Sequence, residues 1–189
     1  MTALKHPSPV SVADYLAGEQ EADVKHEYLG GLIHAMAGGN NRHSAISSNA
    51  VAALAARLRG KPCQTFNSDA KVRIELSDHT RFYYPDAMVV CNRGPDTAHY
   101  QDHPVVVVKV LSDSTRRVDL TEKRDAYLTI NTLKQLILVD PDEPRVIVYR
   151  RRDTGGFEAG EHTGLDAVIE LPEIDAELPL AELYERVTF

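Results

Sequence analysis

Apolar positions along the chain change their spacing several times, and each change marks an element. Ser11-Val12-Ala13-Asp14 has the form of a capping box, which serves the free amides of a helix start, and a short helix is predicted through Leu16 to an end near Gly18. Residues 25–36 read as a hairpin, because Gly30-Gly31 can take the positive φ angles of a tight turn. Ile46, Ala50, Leu54 and Leu58 recur at every fourth position and predict a helix that Gly60 stops and Pro62 keeps from resuming. His43 lies one turn ahead on the same stripe, where a buried histidine with its bonds satisfied is the ordinary occupant.

Further along, the apolar runs shorten and read as strands. Residues 65–74 and 82–91 give two strands joined at Ser77-Asp78-His79-Thr80, with Pro85 marking a strand start, a bulge or an edge. Val105-Val106-Val107-Val108 is apolar on both faces, as a covered central strand would be. Asp119-Leu120-Thr121-Glu122 is a second capping signature, for a helix running to about Ile130. Its spacing puts Lys123 on the inward face between Leu120 and Tyr127, so the ammonium must snorkel outward or meet an acid. Residues 135–139 and 145–149 are further strands, and an acidic, proline-punctuated tail ends in a short helix over 180–186. No repeat or long linker interrupts the series, so residues 1–189 are read as one domain.

Composition narrows the picture. With 43% hydrophobic residues the chain can bury a core, and its formal charge of −7 argues against a broadly basic nucleic-acid coat. Positive charge is local, at Arg116, Arg117, Lys123 and Arg124 and again at Arg150, Arg151 and Arg152, and such runs are either solvated faces or phosphate contacts. Cys63 and Cys91 are too few for a disulfide framework or a four-cysteine zinc site and read as reduced thiols. The start of the chain, Met1 to Pro7, lacks the apolar stretch of a leader, and no run approaches membrane-spanning length. A cytoplasmic protein with no membrane contact is the expectation.

The chemistry centres on Tyr84-Pro85-Asp86 and the strand that follows. Two acids on neighbouring strands can share a divalent ion that activates water and neutralises charge on a phosphoryl group. Here the first position holds Asp86 and the second holds Lys109. The carbonyl of Val110 is a further oxygen donor, and the amine of Lys123 can stabilise a transition state. The chain carries no nucleophile elbow, no glycine-rich phosphate loop and no His-Glu-x-x-His pair.

Tyr84-Pro85-Asp86, the run Val105 to Thr115, then Asp119, Lys123 and Tyr127, and finally Leu138-Val139-Asp140-Pro141 form an ordered series. Together with His26-Glu27-Tyr28-Leu29-Gly30-Gly31 and His43, it resembles the Uma-type restriction endonuclease family, of the PD-(D/E)XK type, over nearly the whole chain. The resemblance implies an α/β (α+β) fold, a restriction-endonuclease-like mixed β-sheet flanked by helices. It implies catalytic roles for Asp86, Lys123 and Glu27, with Asp86 and Val110 at a Mg2+ or Mn2+ site; Lys109 is a further catalytic candidate of this chain's own, able to pair with Asp86 as a fixed positive charge in the metal's place. DNA is the implied partner, met by Arg116, Arg117 and Arg124, and a homodimer fits the same picture. The family pattern has glutamate where this chain has Lys109, and proline where it has Asp113. Those departures leave two expectations: a DNA endonuclease with an altered metal site, or an inactive nuclease scaffold that binds nucleic acid or protein.

Overall fold

The structure is a computed structural model and describes residues 9–36 and 38–189. The segment Met1 to Pro7, in which no leader was expected, lies outside the described residues. Helix α1 (Val12–Glu21) starts as the capping box requires, with the Asp14 amide donating to Ser11 Oγ at 3.1 Å. It runs past Gly18, since one interior glycine costs only about 1 kcal/mol. Strands β1 (His26–Leu29) and β2 (Leu32–Ala35) close the expected hairpin through Gly30 and Gly31, at φ 58° and 102°. Helix α2 (Asn41–Arg57) buries Ile46, Ala50 and Leu54 on the predicted stripe.

Each of the two strands expected over 65–91 is broken in two. The first becomes β3 (Gln64–Asn67) and β4 (Lys71–Glu75), because Asn67 Oδ1 accepts from the Asp69 amide at 3.1 Å and turns the chain. The second becomes β5 (Thr80–Tyr83) and β6 (Ala87–Val90). Pro85 cannot donate to a ladder, and the chain uses that break to leave one sheet and enter another. After β7 (Tyr100–Gln101) comes β8 (Pro104–Val110), followed by β9 (Gln135–Val139) and β10 (Arg145–Arg151). The tail adds β11 (Phe157–Thr163), β12 (Val168–Leu171), β13 (Ala176–Pro179) and a short helix, Leu180–Leu183.

A five-stranded sheet has the order β2-β1-β5-β4-β7, a six-stranded sheet the order β11-β10-β9-β8-β6-β3, and β12 pairs with β13 alone. Both larger sheets are mixed, with β8 parallel to β9 and β4 parallel to β7. Strand β8 is covered on two sides. Val106, Val108 and Val110 pack with α2, while Val107 and Leu111 pack with Tyr127, Leu136 and Leu138.

The helix expected from Asp119 begins three residues earlier, at Arg116–Val118, and continues through a π-helical turn, Asp119–Lys123, into Arg124–Leu128. Asp119 is therefore a buried interior residue rather than a cap. The cysteines also depart from expectation, since Cys63 and Cys91 are joined in a disulfide. The register Gln64↔Val90 between β3 and β6 brings the preceding and following residues together as cross-strand neighbours. That pairing is a tertiary fact, and it withdraws the argument for location that rested on reduced thiols.

Candidate functional site

Alternation along β1 sends Tyr28 into a cluster with Tyr15 and Phe82 and turns Glu27 to the opposite face. Asp86 sits at the crossover between the two large sheets, where its amide donates to the Val108 carbonyl at 3.0 Å. Lys109 is the penultimate residue of β8, and Lys123 closes the π-helical turn. Glu27, Asp86, Lys109 and Lys123 all line one cavity of about 650 Å3, together with His43 from α2. The four residues singled out from sequence thus converge.

The convergence is organised as two buried ion pairs. Lys109 Nζ donates to Asp86 Oδ2 at 2.8 Å, and the Val110 amide donates to the same oxygen at 2.7 Å. It is the amide of Val110, not its carbonyl, that meets Asp86. Lys123 Nζ donates to Glu27 Oε1 at 2.7 Å and lies 3.4 Å from Asp119 Oδ1. The inward lysine has met its acid, as its helical spacing required. Burial alone would lower the Lys109 pKa, but Asp86, with Asp119 and Glu27 behind it, holds the ammonium above the ordinary lysine value.

Two members of the site, named in the sequence only as positions of the resemblance, were given no role there. His43 Nε2 lies 3.4 Å from Asp86 Oδ1, so both carboxylate oxygens of Asp86 face nitrogen groups. Its imbedding in the site is steric as well: a Cβ on Gly39 would lie 2.5 Å from His43 Nδ1. The pair Gly38-Gly39 ahead of the helix was the available signal. Asp119 is 1% exposed, takes a 2.5 Å bond from Thr115 Oγ1 on one oxygen and has no hydrogen-bond partner on the other. π-Helical turns recur at functional sites, and this one carries both Asp119 and Lys123, each of them buried.

The arginines expected to meet DNA do not line this cavity. Arg116 is held by Asp140, at 2.8 and 3.2 Å, and Arg124 by Asp125 at 2.8 Å. Arg117 is exposed and has no carboxylate within 4 Å among the described residues.

The comparisons with known proteins bear on the family and the fold. The family model Uma2, "Putative restriction endonuclease", matches residues 12–181. The chain belongs to the Uma2 family. The uncharacterized protein slr1290 of Synechocystis sp. is 30% identical over 181 residues, covering 95% of this chain and 94% of that relative. A second Synechocystis protein, sll1609, is 28% identical over 164 residues, covering 85% and 92%. The crystal structure of a putative nuclease belonging to DUF820 from Anabaena variabilis superposes with a TM-score of 0.75 at 20% identity, over 95% of this chain and all of that one. The fold of this Uma2 member is accordingly a nuclease fold, with mixed sheets flanked by helices.

A metal site of the usual kind does not fit these side chains. Asp86 Oδ2 already takes two hydrogen bonds, one from a buried ammonium. Among the described residues no three His, Cys, Asp or Glu side chains are grouped to hold an ion. Among the same residues no helix is long and apolar enough to cross a membrane.

Proposed function

We infer that the cavity is a phosphodiester site for DNA, in which the Lys109 ammonium stands where the family's endonucleases would place a cation. The observation that carries the reading is the buried Lys109–Asp86 pair at 2.8 Å. A phosphate entering beside it meets two fixed ammonium groups, Lys109 and Lys123, both buried, where charge stabilisation is stronger than in open water. His43, against the other oxygen of Asp86, is placed to hold or pass a proton. Asp86 and Glu27 fix the orientation of the two lysines, and no step in this scheme runs through a metal.

A second reading, an inactive nuclease scaffold that binds DNA, is favoured by the same bond, because an ammonium cannot lower the pKa of water as a bound metal does. Supercoiled plasmid and a labelled duplex, each with chelator and with Mg2+ or Mn2+, separate the two. Nicking in chelator that disappears in Lys123→Met and Asp86→Asn supports hydrolysis at this site. Duplex binding without nicking selects the scaffold. Strict dependence of nicking on added metal, with calorimetry showing the ion bound by wild type, would overturn the role given to Lys109, and absence of both binding and nicking would overturn both readings.

A further inference from the structure

A second cavity, of about 850 Å3, opens at the other end of the six-stranded sheet, where Lys134, Arg150, Arg151 and Arg152 line it. Lys109 is in register with Leu138, whereas Arg150 is in register with Gln135 and the Arg151 amide bonds the Lys134 carbonyl. Four residues of extended strand separate the two levels by about 13 Å. The two cavities share no lining residue.

What sets this cavity apart is its unpaired positive charge. Among the described residues, every arginine and lysine other than these four and Arg59, Lys71 and Arg117 has a carboxylate within 4 Å. In a chain of net charge −7, four of the seven described cations that lack a carboxylate partner are thus gathered in one place. Asp153 and Glu158 also border the cavity, yet neither comes within 4 Å of a cationic nitrogen of these four residues. Glu173 lines it too; burial raises its pKa, the Gln135 amide donates to it at 3.1 Å, and it likewise has no cationic nitrogen within 4 Å among the described residues.

The arginines are not equivalent. Arg151 is spent on structure, donating to the carbonyls of Leu133 and Ile130 and lying 4.4 Å over the Phe157 ring. Arg150 gives one nitrogen to the Glu170 carbonyl. The side chains of Lys134 and Arg152 make no hydrogen bond or ion pair among the described residues.

We propose that this cavity is a second DNA contact, gripping the phosphate backbone about 13 Å or more from the Asp86 site. Phosphate contacts need positive charge and little else. A protein partner would want an aliphatic or aromatic anchor, and Pro172 is the single apolar side chain in the lining. Measured along the strand, that offset is under half of the roughly 34 Å turn of B-form DNA. The inference shares with the proposed function the identity of the partner and nothing about cleavage.

The test is binding of a short labelled duplex, in chelator, over a range of salt, to wild type and to Lys134→Gln/Arg152→Gln. Neither replaced side chain bonds another group, so folding is not at issue. Loss of two phosphate contacts makes the slope of log K against log salt shallower by about 2, and that is the expected result. An unchanged slope overturns the proposal, as does full competition by polyglutamate at equal charge concentration, which would mark a site for acidic protein. If wild type never nicks plasmid while the slope still changes, the second contact stands and hydrolysis falls. If nicking depends on Asp86 and Lys123 while the slope is unmoved, the reverse holds.

Discussion

Replacing Lys109 by glutamate puts a carboxylate where an ammonium now lies 2.8 Å from Asp86. Without a cation, two carboxylates about 4 Å apart repel by about 4 kcal/mol at an effective dielectric near 20, and the attraction present in the wild type is lost as well. In chelator Lys109→Glu should therefore unfold well below wild type, or keep one of the two acids protonated. Adding Mg2+ or Mn2+ supplies the missing charge. At a hundred times the dissociation constant a bound ion stabilises by about 2.7 kcal/mol, and for a chain of this length each kcal/mol moves the melting temperature by about 2–4 °C. The expected signature is a rise of about 5–10 °C on adding metal to the variant and none for wild type, read by thermal unfolding and checked by calorimetric titration. Lys109→Met serves as control, since it strips Asp86 of its partner without offering a ligand; it should be destabilised by about 3–5 kcal/mol and stay indifferent to metal. Equal metal-induced stabilisation of wild type and Lys109→Glu would refute the reasoning, because the wild-type ammonium could not then be occupying the ion's place.

Four further outcomes follow from the contacts. Lys123→Met leaves Glu27 and Asp119 buried without their shared ammonium and should cost about 3–5 kcal/mol in urea unfolding; adding Glu27→Gln should recover part of that loss, a coupling visible in the double-mutant cycle. Asp140 is pushed up by burial but pulled down further by Arg116, the Asp142 amide and Arg145, to about 2. Its share of stability, about 2 kcal/mol, is therefore complete above the unfolded value near 4 and vanishes as pH falls through 2, so Asp140→Asn and wild type should differ at pH 7 and converge in acid. Gly39→Ala drives a methyl to within 2.5 Å of the present His43 Nδ1 position and must move the ring away from Asp86; if His43 serves the reaction, nicking should drop by about 10- to 100-fold with unfolding little changed. Reducing the Cys63–Cys91 bond, which spans a sequence separation of 28, should lower stability by about 3.6 kcal/mol in denaturant titrations with and without thiol.

Elements set by local pattern were legible in the sequence. The Ser11 cap, the Gly30-Gly31 turn and the four-residue stripe of α2 each rest on contacts within a few residues, and each formed as expected. The breaks at Asn67–Asp69 and at Pro85 were less so, because apolar runs on either side read as continuous when the change of sheet between them is invisible. Strand β11 escaped altogether. It is an edge strand of polar and small residues, Phe157–Thr163, mostly exposed, and it is held by pairing to β10 rather than by a buried face. In the site, Lys109 stood out inside the apolar run 105–111 and Lys123 on a helix face between Leu120 and Tyr127, while Asp86 and Glu27 were carried by the resemblance. His43 and Asp119 were among the positions of the resemblance but were given no role, because a histidine on a helical stripe and an acid at a helix start have ordinary structural readings. Only the tertiary structure sets His43 against Asp86 and Asp119 beside Lys123.

Charge counting explains how a lysine can stand at position 109 without wrecking the cluster. Glu27, Asp86 and Asp119, if ionised, face Lys109 and Lys123, which leaves one net negative charge. Glutamate at 109 would leave three, and a divalent ion would bring the total back to one. Lys109 is therefore the electrostatic equivalent of a carboxylate together with its metal, and the surrounding acids keep it charged. Equivalence of charge is not equivalence of chemistry. An ammonium can hold a phosphate and steady the charge that grows on it, but it has no open coordination position from which to activate water. The cost of the exchange should thus fall on turnover and spare binding: wild type should hold duplex DNA in chelator about as well as with Mg2+, while any hydrolysis depends on His43 as proton acceptor. Lys109→Glu should reverse that balance, with DNA held weakly in chelator and strongly with metal. A wild type whose affinity for DNA rose steeply with Mg2+ would break the equivalence on which the pocket is read.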